Sequence, residues 1–273
     1  MAYRMLVTDL DYTCLNEEHE IPEGNIIAAR RANEEGILFS VATGRGRVAA
    51  ERHIMKLNPN LPVILQNGMN IFDFAKGSMI REHLVDVDVS IRAVRWGMDM
   101  GIIPVITIDQ RHHVSKRGGP LVDELELLEG VPCVETGDLA GFLEARRDGV
   151  KVANVLYVCQ PGERDAIAEA AKPVFPEIKV ITSGPPFVEF LNKDASKGHA
   201  LEELCELAGV DMADVVVIGD AENDAEMMKR AGMSYAVANA EESVKRIASK
   251  VTSRDHNEAV LPEVLSDAFG IEV

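Results

Sequence analysis

Short apolar runs alternate with helical patterns over the first third of the chain. Each apolar run has the length and composition of a buried strand, and each helical pattern places its apolar residues on one side. Continuous apolar strands separated by helices predict a parallel sheet that is covered on both faces. The predicted strands are residues 4–8, 37–42 and 62–65, and the predicted helices are residues 22–35 and 47–57.

The same pattern returns toward the end of the chain. A helix predicted over residues 197–208 ends at Gly209, and one over residues 223–231 ends at Gly232. Glycine is expected at such places because it accepts the left-handed conformation in which helices end. The remaining predictions are strands at 215–218, 235–237 and 251 and helices at 241–248 and 259–269.

Residues 82–190 have a different character. The segment 151–158 alternates more than the other strands, which favours a sheet with only one covered face. Helical patterns recur near residues 88–98, 121–128, 139–147 and 162–171. We therefore predict an α/β protein with a doubly wound parallel-sheet (Rossmann-like) core, formed by residues 1–82 and 191–273. Residues 83–190 are predicted to form an inserted α+β domain.

The charge of the chain limits its partners. It carries 45 acidic and 28 basic residues, which gives a formal net charge of -17. Such a surface repels nucleic acid and anionic membranes, so we expect neither as a partner. An anionic substrate would need positive charge supplied locally at its site.

The cysteines and the apolar runs indicate a cellular location. None of the cysteines has a C-x-x-C spacing, so we predict no disulfide framework and a reducing environment. No signal peptide precedes the first strand, and no apolar run approaches the ~20 residues that span a bilayer. We therefore expect a cytoplasmic protein. The four cysteines are Cys14, Cys133, Cys159 and Cys205.

Two carboxylates follow the first predicted strand. Asp9 and Asp11 lie at its carboxyl end, which is the end where parallel α/β sheets bind ligands. Two carboxylates so close repel each other, and a bound cation or a shared proton relieves the repulsion. One can then serve as nucleophile and metal ligand and the other as acid and base. The alternative is a solvated turn, in which aspartate is a common residue.

Two further sequences are typical of anion sites. Thr43 and Gly44 follow the second strand, where a hydroxyl and a glycine amide can form an anion cradle, although a plain Thr-Gly turn is the alternative. Lys197 begins a helix, where the helix dipole disfavours a cation. A nearby anion explains its position, although a lone lysine is more often a solvated surface residue.

The strongest pattern follows the strand at 215–218. Asp220, Glu222, Asn223 and Asp224 crowd a single turn before a helix. Acidic residues in a first helical turn also serve as caps. Four such polar groups directly after a buried strand indicate a hard cation as well.

Five short motifs occur in a fixed order along the chain. They are DLDYT at 9–13, TGR at 43–45, QNG at 66–68, SKG at 196–198 and GDAEND at 219–224. Together they resemble the haloacid dehalogenase superfamily of phosphohydrolases, in the Cof-like subfamily with a large inserted cap. The resemblance covers essentially the whole chain. It departs from the family at Tyr12, where a small residue is usual, and at Cys14, where leucine is usual.

The resemblance implies a Mg²⁺-dependent phosphatase that acts on a small phosphomonoester. Asp9 would attack phosphorus to form an aspartyl-phosphate, and Asp11 would protonate the leaving alcohol and then accept a proton from water. Mg²⁺ would be held by the Asp9 carboxylate, the Asp11 backbone carbonyl and Asp220, with support from Asp224. Mg²⁺ and Lys197 would supply the local positive charge. The phosphoryl oxygens would be held by the Leu10 amide, Thr43, Gly44, Lys197 and Asn223.

Three other functions remain open from the sequence. A phosphotransferase or mutase would hand the same aspartyl-phosphate to a second alcohol. A signalling receiver domain also clusters aspartates and a lysine on an α/β sheet, but it has no use for the large insertion. A non-catalytic phosphate-binding protein is the third. Sugar phosphates, pyridoxal phosphate, phosphoglycolate and flavin mononucleotide are all conceivable substrates.

The residues of the core bind a phosphate that all the candidate substrates share. Other residues must therefore distinguish one substrate from another. In the inserted domain a polar run, residues 109–113, follows an apolar strand at 102–108. Either this run is an exposed hairpin tip, or Arg111, His112 or His113 contacts the leaving group of the substrate.

Overall fold

The computed structural model describes residues 3–160, 162–183 and 187–273. The domain predictions also cover residues 1, 2, 161 and 184–186, which lie outside this described part. Its strands are β1 (Met5–Thr8), β2 (Leu38–Val41), β3 (Val63–Leu65), β4 (Asn70–Asp73), β5 (Ser78–Glu82), β6 (Ile103–Ile108), β7 (Arg111–Val114), β8 (Val134–Glu135), β9 (Val152–Val158), β10 (Lys179–Ser183), β11 (Phe187–Leu191), β12 (Val215–Gly219), β13 (Met233–Ala236) and β14 (Lys250–Val251). Its helices are α1 (Glu23–Glu34), α2 (Arg47–Leu57), α3 (Val87–Asp99), α4 (Pro120–Glu129), α5 (Leu139–Glu144), α6 (Arg164–Ala171), α7 (Lys197–Ala208), α8 (Ala225–Arg230), α9 (Glu242–Lys245) and α10 (Leu261–Val264).

The chain divides into two compact units. The first unit joins Met1–Arg81 to Ser196–Val273, and the second is Glu82–Ala195. The sequence pattern predicts the second boundary after residue 190, within β11. The structure places it after that strand, because β11 is hydrogen-bonded to β9 and β10 of the second unit.

The first unit is built on a parallel sheet in the order β14–β13–β12–β1–β2. Its two central strands, β1 and β12, are buried along their whole length, as expected for continuous apolar strands covered on both faces. Thr8 lies opposite Ile218 on one side and Val41 on the other. The carboxyl ends of β1, β2 and β12 therefore meet at one edge, and the predicted α/β class with a parallel sheet is confirmed.

Parts of the first unit differ from the predicted elements. Strands β3, β4 and β5 form a separate three-stranded sheet, and the sequence pattern predicts only the first of them. The predicted helix at 223–231 is a 3-10 turn, Glu222–Asp224, followed by α8. The last predicted helix consists of α10 and a π-helical turn, Leu265–Phe269.

The second unit contains a six-stranded sheet in the order β10–β11–β9–β6–β7–β8. The prediction that β9 has only one covered face was wrong, because all seven of its residues are buried. Val155 and Tyr157 belong to an apolar cluster with α3 and α5, and Leu156 and Val158 belong to a cluster with α4. Asn154, a polar residue in the middle of this strand, is buried and donates a hydrogen bond to Glu189.

The polar run at residues 109–113 forms the turn between β6 and β7 and the start of β7. Asp109 and Gln110 both have positive φ angles, 49° and 64°, as a two-residue hairpin turn with a primed geometry requires. His112 Nδ1 lies 2.9 Å from Thr107 Oγ1, and His113 Nδ1 lies 2.9 Å from Thr136 Oγ1. The run is a hairpin tip, and a contact with substrate stays a prediction.

Candidate active site

The loop after β1 holds the first carboxylates at the edge of the sheet. The amides of Thr13, Cys14 and Leu15 all donate to the carbonyl of Leu10, at 3.3, 2.9 and 2.8 Å. The chain therefore turns sharply directly after Asp9. The Asp9 amide still donates to Ile218 across the sheet at 2.9 Å, and its side chain is only 6 % exposed. The carboxylate of Asp9 is thus fixed in a nearly dry position.

A buried lysine lies between two of the predicted site aspartates. Lys197 Nζ is 2.6 Å from Asp9 Oδ1 and 2.7 Å from Asp224 Oδ1. Burial alone would lower the pKa of Lys197, but the carboxylates of Asp224 and Asp9 raise it above its ordinary value. Lys197 therefore stays charged. The carboxylates of Asp9 and Asp224 are the nearby anions that explain a lysine at the start of a helix.

Asp224 also organises the turn after β12. Its Oδ2 accepts hydrogen bonds from the amides of Asp220 and Ala221, at 3.0 and 3.2 Å. The Asp220 side chain accepts a hydrogen bond from Thr13 Oγ1 at 3.1 Å, so the loops after β1 and β12 are joined. Burial, followed by the neighbouring charge of Asp224, raises the pKa of Asp220 to about 7. Burial likewise raises the pKa of Asp9 well above its ordinary value, against the opposing effect of Lys197.

The grouped carboxylates fit a hard divalent cation. Asp9, Asp220 and Asp224 each offer one oxygen, and these oxygens lie within 4.8 Å of one another. Oxygen ligands of this kind suit Mg²⁺. Burial raises the pKa of Asp9 and of Asp220, and repulsion between the carboxylates raises both further; a bound cation would relieve this cost. The residues present therefore fit a metal site at this edge of the sheet.

Asp11 points to a different partner. Arg45 Nε lies 3.1 and 2.9 Å from the two carboxylate oxygens of Asp11, and Arg45 Nη2 lies 2.6 Å from Oδ1. The side chain of Asp11 is thus held in a bidentate ion pair outside the carboxylate group described above. In the sequence analysis, only its backbone carbonyl was expected to bind the metal.

Arg45 was present in the TGR motif but received no role from the sequence. Its Nη1 lies 3.4 Å from Nε2 of His53, which also accepts from Arg52 Nε at 3.0 Å. Burial and the two guanidinium groups lower the pKa of His53 to about 4. Because Nε2 faces two donors, the neutral ring carries its proton on Nδ1 and can fix the Arg45 guanidinium.

Three of the predicted phosphate-binding residues, Thr43, Gly44 and Asn223, are connected at the loop after β2. Thr43 is fully buried, and its Oγ1 accepts from the Arg45 amide at 3.1 Å. A Cβ at Gly44 would press on the side chain of Asn67. Asn67 Oδ1 in turn accepts from Asn223 Nδ2 at 3.0 Å. The Asn67 amide donates to the Thr43 carbonyl at 3.1 Å. The structure therefore links Thr43, Gly44 and Asn223 through Asn67, a residue of the QNG motif to which the sequence assigns no role.

The cysteines lie outside this arrangement. All four are buried, and none forms a disulfide bond in the part of the chain that the structure describes. Burial, followed by the charge of Asp9, raises the pKa of Cys14, so its thiol stays protonated although it lies next to the site. In the part of the chain that the structure describes, no helix is long and apolar enough to cross a membrane.

Sequence comparisons identify the family of hydrolases to which a chain with this fold belongs. A family model for haloacid dehalogenase-like hydrolases matches residues 6–264. The 5-amino-6-(5-phospho-D-ribitylamino)uracil phosphatase YwtE of Bacillus subtilis is 28% identical over 274 residues, covering 93% of this chain and 94% of that protein. The chain belongs to the haloacid dehalogenase-like hydrolase family and is a hydrolase.

Solved structures show the same relationship. The crystal structure of a haloacid dehalogenase-like hydrolase from Bacteroides thetaiotaomicron is 26% identical, with a TM-score of 0.86 over 98% of this chain and 100% of that one. TM0651 from Thermotoga maritima is 25% identical, with a TM-score of 0.84 over 97% of each chain. The family resemblance read from the five motifs is confirmed.

Proposed function

We propose that this hydrolase is a Mg²⁺-dependent phosphatase that cleaves a small phosphomonoester through an aspartyl-phosphate. The observation that carries the proposal is the buried arrangement of Asp9 with Lys197 and two further carboxylates at the carboxyl end of the sheet. The curated relative YwtE is named as a phosphatase of a small phosphorylated uracil derivative, which supports a phosphorylated metabolite as the substrate class.

The reaction takes place in two steps on the side chains of this site. A carboxylate oxygen of Asp9 attacks phosphorus, the bond from phosphorus to the leaving oxygen breaks, and Asp11, which acts in its protonated form in this step, gives its proton to that oxygen. A water molecule then attacks the same phosphorus, and Asp11 takes a proton from it. Inorganic phosphate leaves and the Asp9 carboxylate is restored. Asp11 has donated one proton and accepted one, so it ends in its starting protonation state.

The surroundings of Asp9 supply charge rather than covalent chemistry. Phosphoryl transfer depends mainly on positioning and on neutralising the phosphoryl oxygens. Asp9, Asp220 and Asp224 would hold Mg²⁺, which supplies positive charge to the phosphoryl group when it is bound. Lys197 supplies a second positive charge from a dry position. This local positive charge would attract an anionic substrate even though the chain as a whole carries a net charge of -17.

The test is Asp9→Asn, which keeps the shape of the side chain but removes the nucleophile. With p-nitrophenyl phosphate and excess Mg²⁺, kcat should fall by at least about 10³-fold, as is usual for loss of a nucleophile. Asp99→Asn, which changes an exposed aspartate at the end of α3, is the matched control and should retain activity. Wild-type turnover by a folded Asp9→Asn protein would rule out the mechanism.

The metal is tested on the same substrate. Excess chelator should abolish hydrolysis, Mg²⁺ should restore it, and Ca²⁺ should restore little because its coordination is looser. Full activity in chelator would remove Mg²⁺ from the proposal. Product analysis with an added sugar acceptor distinguishes the alternative function, since a phosphotransferase would form a phosphorylated sugar in place of inorganic phosphate.

A further inference from the structure

Tyr12 adopts a backbone conformation that its residue type disfavours. Its φ angle is 55°, in the left-handed region where glycine is at ease and a bulky residue is an outlier. It lies between Asp11 and Thr13, the residue that hydrogen-bonds Asp220. Strained residues persist only where their surroundings hold them, and they concentrate at functional sites.

Two contacts hold Tyr12 in this position. The side chain of Asn239 donates to the Tyr12 carbonyl at 2.8 Å, and it accepts from the His256 amide at 2.9 Å. The aromatic rings of Tyr12 and His256 meet edge to face, with centroids 5.5 Å apart and planes at 65°. His256 is only 7% exposed. In the described part of the chain its ring nitrogens have no hydrogen-bond partner, so packing fixes the ring.

The supported ring of Tyr12 is nevertheless open to solvent. Tyr12 is 53% exposed, so core packing does not explain a tyrosine at a strained position. Tyr12 directly follows Asp11, so its Cα lies about 3.8 Å from that of the residue proposed to protonate the leaving group. An exposed aromatic side chain on the residue next to Asp11, in contact with the ring of a buried histidine, is suited to stack on a planar ring.

We propose that Tyr12, supported by His256, is a specificity-determining platform for an aromatic or heteroaromatic leaving group. The inference rests on the proposed function and names its substrate class: phosphomonoesters whose alcohol carries a planar ring close to the ester oxygen. Non-planar aliphatic alcohols lack the flat face that stacks on the tyrosine.

The experiment compares benzyl phosphate with cyclohexylmethyl phosphate, which share one carbon skeleton but carry a planar aromatic ring and a puckered saturated ring, respectively. Wild-type kcat/KM should favour benzyl phosphate by about tenfold, which corresponds to about 1.4 kcal/mol. Tyr12→Phe should keep this ratio. Tyr12→Leu and Tyr12→Gly should bring it to about one. Tyr3→Leu, at the amino end of β1, is the matched control and should leave the ratio unchanged.

The variants separate the ring from the backbone. Tyr12→Gly removes both the ring and the strain, and it carries the test if Tyr12→Leu does not fold. A wild-type ratio near one, or a ratio that survives loss of the ring, would overturn the inference while leaving the phosphatase intact. A wild-type protein that hydrolyses no phosphomonoester at all would instead contradict the proposed function.

Discussion

Arg45 fixes the position of the side chain that the proposed reaction uses as acid and base. Its guanidinium forms a bidentate pair with Asp11, and the neutral ring of His53 accepts a hydrogen bond from the opposite side of that guanidinium. A planar guanidinium held in this way sets both the distance and the direction of a carboxylate. Arg45 is therefore a positioning residue that acts through Asp11.

The first prediction concerns the leaving group. Arg45→Met should lower kcat/KM for an alkyl phosphate by about 10²-fold, because a poor leaving group depends on general acid catalysis. The loss with p-nitrophenyl phosphate should be much smaller, because nitrophenolate leaves without a proton. The measurement is kcat/KM for both substrates at one pH.

Arg47→Met provides the control for this prediction. Arg47 lies two residues along the chain but packs over the ring of Phe72, at 5.4 Å from its centroid. Its removal should affect both substrates equally and slightly. An equal loss on both substrates in Arg45→Met would show that Arg45 acts on the phosphate and not through Asp11.

Individual site residues differed in how visible they were in the sequence. Asp9 and Lys197 could be singled out because a carboxylate pair after an apolar strand, or a lysine at a helix start, conflicts with local preference. Arg45 and Asn67 have no such conflict, and their roles arise from contacts between distant loops. For Asn67, the Asn-Gly pair is itself typical of a turn with left-handed residues, and its φ is 56°. Its contact with Asn223 comes from tertiary packing, which no local pattern indicates.

The start of helix α7 depends on a neighbouring turn. Gly68 has a φ angle of 92°, and a Cβ there would overlap the carbonyl of Ser196. That carbonyl accepts the amide of Ala200 at 3.0 Å in the first turn of the helix. The close contact between the QNG turn and the Ser196 carbonyl therefore helps to fix the first turn of α7. The position of Lys197, which hydrogen-bonds Asp9, depends on this turn.

The second prediction is the effect of Gly68→Ala on stability and activity. The substitution adds backbone strain and an overlap with Ser196, so the free energy of unfolding should fall by about 2–5 kcal/mol. Activity on p-nitrophenyl phosphate should fall with it, because Lys197 is displaced. Urea denaturation and initial rates measure the two effects.

Gly77→Ala is the matched control for the helix start. Gly77 also has a positive φ, 64°, but a Cβ there meets no atom within 4 Å. It should cost about 1 kcal/mol from backbone strain alone and leave activity unchanged. If the two variants lose equal stability, the close approach at Ser196 does not constrain the helix.

Strands that are buried along their whole length could be predicted from the sequence. Strands whose formation or burial depends on contacts with distant parts of the chain could not. Strands β1, β2 and β12 are continuous apolar runs, and the sequence located them to within a residue or two. Strands β4 and β5 follow a turn whose residues have left-handed backbone conformations. The pattern of hydrophobic residues does not predict such a turn. The covered second face of β9 comes from α4, which lies far away in sequence.

At the scale of the whole molecule, the first unit contains every residue of the candidate site. Its sheet needs both chain segments, because β1 comes from the first segment and its neighbour β12 from the second. The intervening residues leave and return at neighbouring points, since Asn192 Nδ2 donates to the Leu84 carbonyl at 2.8 Å. The second unit has its own apolar clusters.

The last prediction is that the first unit folds and reacts without the second. Residues 82–195 are replaced by a Gly/Ser linker of about six residues, which spans about 13 Å. The product should unfold cooperatively and hydrolyse p-nitrophenyl phosphate with Mg²⁺, because the apolar core around β1 and β12 is complete. Its kcat/KM values should vary less among phosphorylated metabolites than those of the full chain.

The fragment of residues 1–81 is the control, and it should remain unfolded because β1 would lose its pairing with β12 and become an open edge. Circular dichroism during heating measures folding in both proteins, and initial rates on a metabolite panel measure discrimination. A shortened protein that folds but does not hydrolyse p-nitrophenyl phosphate would show that the second unit supplies a group needed for the chemistry. An unchanged substrate profile would show that specificity resides in the first unit, where Tyr12 is the candidate.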